Sequence, residues 1–164
     1  MKRLVLFLAL AGCAAEEGTP PAPPPALQEA SAEQALALFA EACLDTGPGF
    51  GGASEVFATA GLAAEGEGRW ANRARNLAAN LASTEVADAC IVSFVATDLA
   101  LLRADLDRLI PERYAGAASG QIEGTPAWRL PGTAPGTEPI FVRAFRSETA
   151  SQPVLGLSAV VERG

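Results

Sequence analysis

The chain has 164 residues, 19 acidic and 12 basic, a formal net charge of −7 and no histidine. That balance argues against nucleic acid and against general adhesion to anionic lipid. The missing histidine removes Ser-His-Asp and Cys-His catalysis and the commonest metal ligand.

At the N-terminus, Lys2 and Arg3 precede an apolar run from Leu4 to Ala11. A bilayer span needs about 20 such residues, so the run suits the h-region of a secretory signal instead. It ends Leu10-Ala11-Gly12-Cys13. Positive start, short apolar core and Leu-Ala-Gly-Cys in this order resemble the lipobox of bacterial lipoproteins. The resemblance implies export, removal of residues 1–12 as a signal peptide, and diacylglycerol on the Cys13 sulfur, with N-acylation in many bacteria. The membrane is then a partner through that lipid. Two or more acyl chains anchor stably where one binds only marginally. Ala14, rather than Asp, follows the cysteine; in a two-membrane bacterium this favours the periplasmic face of the outer membrane. Cleavage also removes Lys2, the only lysine, so Ser-Lys and Schiff-base mechanisms go with it.

Residues 13–26 read as the lipidated cysteine and a tether. Ala14 to Pro25 holds five prolines and no apolar periodicity. At ~3.1 Å per residue in the extended proline conformation, it reaches roughly 40 Å. Residues 27–164 are enough for one domain with one core.

Within that domain, Ser31 and Gln34 form a capping-box signature opening a helix. Leu36, Phe39, Ala40 and Cys43 share its apolar face, and Gly47-Pro48 ends it. A glycine-rich loop leads to a second helix near Ser54 to Ala60. The stretch from Trp70 to Ala82 reads as a third helix, with Trp70, Ala74, Leu77 and Leu81 on its apolar side and Asn72, Asn76 and Asn80 on the other. "ACIVSFVA" is β-branched and aromatic, hence a strand. Thr97 or Asp98 then caps an amphipathic helix with a Leu99, Leu102, Leu106, Leu109 stripe, Arg103 and Asp107 lying off it, and Pro111 as its stop. "AWRL", "PIFVRAFR" and "VLGLSAVVER" read as three strands of an antiparallel meander. The predicted class is α+β: N-terminal helices plus an antiparallel sheet of about four strands packed against a helix. No internal repeat is visible.

Cys43 and Cys90, an even pair at apolar positions of an exported domain, predict a disulfide. A metal or redox pair fits poorly without histidine or a CxxC, and no cofactor or metal is expected.

"GPGFGG" matches G-x-G-x-x-G, but a helix precedes it where a dinucleotide site needs a strand. Of the acids, Asp105 and Asp107 are two apart on a helix and do not face each other, and Asp98 is simply a cap. A carboxylate enzyme would have to draw on distant residues such as Glu123 and Glu138. Arg143 lies between Phe141 and Phe145 on one strand, and Arg129 follows Trp128 on another. The simpler reading packs the phenylalanines in the core with Arg143 reaching to its edge. If that sheet face is open, these five residues offer aromatic surface and anion donors. The leading functional expectation is a lipid-anchored, non-catalytic interaction or assembly module of the envelope, its partner an unknown envelope protein. The second is a lipoprotein binding a small ligand or anion on the arginine–aromatic face. The third, less favoured, is a carboxylate hydrolase of envelope polymers.

Overall fold

The computed structural model describes residues 29–132, 137–147 and 152–163. The lipobox, Cys13 and the whole tether therefore lie outside the described residues. Ser31 accepts from the Gln34 amide while the Gln34 side chain accepts from the Ser31 amide, closing the capping box that starts α1 (Ala32–Phe39). One wider π-helical turn, Ala40–Leu44, continues it. The glycine-rich loop follows, with Phe50 buried in the core, and leads into α2 (Ala53–Thr59).

A meander of four strands comes next: β1 (Ala63–Gly66), β2 (Arg69–Asn72), β3 (Leu77–Ser83) and β4 (Ala87–Val95). Helix α3 (Leu99–Arg113) leads to a second meander: β5 (Ala118–Ile122), β6 (Thr125–Leu130), β7 (Ile140–Ser147) and β8 (Val154–Glu162). All eight strands join one antiparallel sheet in the order β1-β2-β3-β4-β8-β7-β6-β5.

This overturns the expected fold, a sheet of about four strands on a mainly helical N-terminal part. The sheet has eight strands and dominates the architecture, with three helices packed on it. Most of the error lies between Trp70 and Ala82. That stretch is β2, a short 3-10 turn (Arg73–Arg75) and β3, not a helix. Its alanines favour helix, and Leu77 and Leu81 fit an i, i+4 pattern. Leu77, Ala79 and Leu81 also alternate, and pairing with β4 decides between the two periods. Asn76, at φ +50°, makes the left-handed bend from which β3 departs. The edge strands β1 (AAEG) and β5 (ASGQI) are small, polar and exposed, so they carry no alternation to read. Pro111 does not stop α3, which continues to Arg113; the ring's φ of about −65° is itself helical, so the last turn closes at the loss of one backbone bond.

Each half of the domain is a helix followed by a four-stranded meander, with α2 additional in the first. The halves meet where β4 and β8 run antiparallel through nine residue pairs from Ala87↔Glu162 to Val95↔Val154. An approximate two-fold axis therefore passes through the central pair, Ile91↔Ser158.

Helices cover one face of the sheet. Leu36, Phe39 and Phe57 from the first two helices and Leu102, Leu106 and Ile110 from α3 bury against Val92, Phe94, Val142, Leu155, Leu157 and Ala159. Phe57 also meets the Trp70 ring, 5.3 Å between centroids. Cys43 and Cys90 sit fully buried in this layer at disulfide distance, Cα atoms 5.5 Å apart. They join the π-helical turn to β4. At the far end of α3, Tyr114 donates to Asp45 at 2.8 Å and Arg113 pairs with the same carboxylate. Burial, then the Asp45 contact, push the Tyr114 hydroxyl above its ordinary pKa.

Leu106→Asp puts a charge into the α3 core contact and costs several kcal/mol. Leu101, on the same helix, is 56% exposed, so Leu101→Asp changes stability by about 0.5 kcal/mol or less. Equal thermal shifts would show that α3 is not packed as described. Replacing both Cys43 and Cys90 by Ala opens a loop with a sequence separation of 47. Denaturant melts should then lose on the order of 4 kcal/mol; an unchanged midpoint would contradict the cross-link.

Candidate functional site

Alternation along β7 sends Ile140, Val142 and Ala144 into the helix-covered core and leaves Phe141, Arg143 and Phe145 on the opposite face. No helix among the described elements packs on that face. The reading that placed the phenylalanines in the core is thus corrected: all three side chains are half-buried on the helix-free side. Arg129 pairs with Phe141 across β6–β7 and shares their face. Trp128 does not. It lies on the helix side, where its indole Nε1 donates to Asp107 of α3 at 2.7 Å. Four of the five expected surface residues come together, and the fifth clamps α3 to the sheet.

On β8 the same helix-free face carries Gly156, Ser158, Val160 and Glu162. Phe145 pairs with Gly156, and a β-carbon there would stand 2.3–2.9 Å from its ring carbons. Glycine at 156 is what lets the ring lie on the strand. Arg143 pairs with Ser158, and Phe141 with Val160. A cavity of about 160 Å³ opens here, lined by the apolar Phe141, Val160 and Ile122 together with Arg143, Ser158, Glu123 and Glu162. A second hollow of about 200 Å³ shares Ile122 and Phe141 and extends past Arg129 to Ala118 and Gly120.

Polar groups in the first cavity lack partners. Ser158 is 4% exposed, and its hydroxyl makes no hydrogen bond. Leaving a buried donor unsatisfied costs about 1–3 kcal/mol. Among the described residues, Arg143 and Arg129 make no hydrogen bond or ion pair. Arg73, Arg108, Arg113 and Arg163, by contrast, each pair with a carboxylate. Glu123 adds strain. It occupies the two-residue turn between β5 and β6 at φ +52°, followed by Gly124 at φ +78°. Such turns favour Asn or Gly first, and a larger L-residue there costs about 1 kcal/mol. A buried hydroxyl without a partner, a half-buried guanidinium without an ion pair and a carboxylate carried on a strained turn thus line one cavity, and unsatisfied buried groups and backbone strain cluster where ligands bind.

Elsewhere the candidates are absorbed by structure. Asp98 caps α3 by accepting from the Leu101 amide at 2.9 Å, Asp105 pairs with Arg108, and Asp107 holds Trp128. Glu138 is exposed and lies outside the cavity lining. A crevice of about 220 Å³ beneath α3 holds the buried, unpartnered Nε of Arg103. Its carboxylate, Asp107, is already engaged by Trp128. The glycine-rich loop joins two helices, and Gly47 packs against Ile140. Among the described residues no group of three or more His, Cys, Asp or Glu could hold a metal ion, and no helix is long and apolar enough to cross a membrane.

Ser158 carried a faint sequence signal, one hydroxyl inside "VLGLSAVVE". Ile122 and Glu123 carried none, because only the β5–β6 hairpin brings them to β7 and β8. No protein-family model, no curated protein and no solved structure matches the chain.

Proposed function

We propose that this chain is a lipid-anchored, non-catalytic module of the bacterial cell envelope that binds a small ligand through an anionic group in the β7–β8 cavity. The observation that carries the binding is the pair Arg143 and Ser158. They are direct cross-strand neighbours, without partners, in a half-enclosed site walled by Phe141 and Val160. Guanidinium and hydroxyl together supply directed donors to one carboxylate or similar anion. An assembly module would instead present a broad apolar patch. The large hydrophobics exposed among the described residues are Val86, in the β3–β4 turn, and Leu101, on α3. The anchor rests on Leu10-Ala11-Gly12-Cys13.

Mass spectrometry of the processed N-terminus should find diacylglycerol on Cys13, and Cys13→Ser should release the protein from membranes or leave it unprocessed. An unmodified Cys13 would remove the anchor. For the cavity, Ser158→Ala should raise stability by about 1 kcal/mol or more, since it deletes a buried orphan. The same change should weaken binding of small anionic or zwitterionic fragments that shift the amide resonances of residues 141–143 and 158–160. Destabilisation by Ser158→Ala, together with no fragment shifting those resonances at millimolar concentration, would refute a ligand site here.

A further inference from the structure

We infer that the cavity is built for a small zwitterion, an aliphatic α-amino acid, whose carboxylate meets Arg143 and Ser158 and whose ammonium meets Glu123 and Glu162. This rests on the ligand-site reading above and names its substrate class.

The argument starts from charge. Arg143 is half-buried inside the cavity, whereas Glu123 and Glu162 are exposed at its rim. None of the three forms an ion pair among the described residues, so opposite charges face one small space without neutralising each other. A simple anion drawn to Arg143 would sit beside two carboxylates, and a simple cation drawn to the rim would sit beside the guanidinium. Like charges lining one small cavity repel, which selects against both. A zwitterion satisfies each end, and a phosphate dianion fits worst. Glu123 is held at the rim in spite of its left-handed backbone, and the amino group gives that position a purpose.

Size narrows the class. The cavity holds about 160 Å³, below the ~300–1,000 Å³ of sites for drug-sized ligands and close to the ~150 Å³ that accommodates benzene. A molecule of single-amino-acid size fits, and a saccharide chain or a whole lipid does not. Phe141 and Val160 wall the cavity with apolar surface, which suits an aliphatic side chain. Ser158 supplies the second donor a carboxylate takes beside a guanidinium, and its hydroxyl has no other partner.

Calorimetric titration of the processed protein in neutral detergent with three probes tests the assignment. These are L-leucine, 4-methylpentanoate (which lacks only the ammonium) and 3-methylbutan-1-amine (which lacks only the carboxylate). Leucine should bind at least tenfold more tightly than either. Arg143→Gln should weaken leucine and 4-methylpentanoate at least tenfold and spare the amine. Glu123→Gln and, away from the strained turn, Glu162→Gln should each weaken leucine several-fold while leaving 4-methylpentanoate unchanged or tighter. If 4-methylpentanoate binds as tightly as leucine, the zwitterion assignment is overturned and a simple anion site remains. If none of the three binds, or Arg143→Gln changes no affinity, the small-ligand reading falls as well.

Discussion

The structure turns on the β4–β8 ladder. Nine consecutive antiparallel pairs join two meanders that otherwise pair only within themselves, and without this seam there are two four-stranded sheets, each with a helix to cover it. Its core side is almost wholly apolar: Cys90, Val92 and Phe94 face the helices beside Leu155, Leu157 and Ala159. The Cys43–Cys90 pair ties the first helical segment to the seam from above. The long-range contacts that close the sheet and the cross-link that restricts the unfolded chain therefore converge on one strand pair.

The approximate two-fold axis through that seam makes the division of labour visible. Asn80 pairs with Ile91 in the first half as Arg143 pairs with Ser158 in the second. By the same register, Ala78 and Ala82 stand where Phe141 and Phe145 do. One half of the helix-free face is thus lined with small side chains and the other with rings and a guanidinium. Fold and site use the same strands through opposite faces. Residues 140, 142 and 144 hold β7 on the core, while residues 141, 143 and 145 are released for binding. A one-residue slip would exchange the two sets, so core packing sets the site's geometry.

Local signals in the sequence were legible where one residue type has one physical role. The Ser31–Gln34 box, the buried α3 leucines Leu102 and Leu106, and the proximity of Cys43 and Cys90 are of this kind. Four strands, β4 and β6 to β8, were visible from β-branched and aromatic alternation. The other four were not, for two reasons. Alanine-rich β3 satisfies helical and strand periods equally, and only its partner β4 selects one. Edge strands β1 and β5 are held by backbone pairing, which leaves no mark on side-chain pattern. Half of the sheet was therefore missed, and with it the β5–β6 hairpin that carries Glu123 to the cavity. Phe141, Arg143, Phe145 and Arg129 stand out from the sequence of β7 and β6 alone. Sequence could not say which face they take, because that depends on where the helices pack. Trp128 was grouped with Arg129 by adjacency, and strand alternation sends them to opposite sides.

The central claim, that the unpaired groups on the helix-free face are completed by a ligand, is tested most directly by a crystal structure of the protein grown with saturating L-leucine. The account predicts density between β7 and β8, with a carboxylate bonded to Arg143 and to the Ser158 hydroxyl and the ammonium turned toward Glu123 and Glu162. An ordered water satisfying Ser158 in an otherwise ligand-free cavity, or leucine seated instead in the crevice beside Arg103, would contradict it.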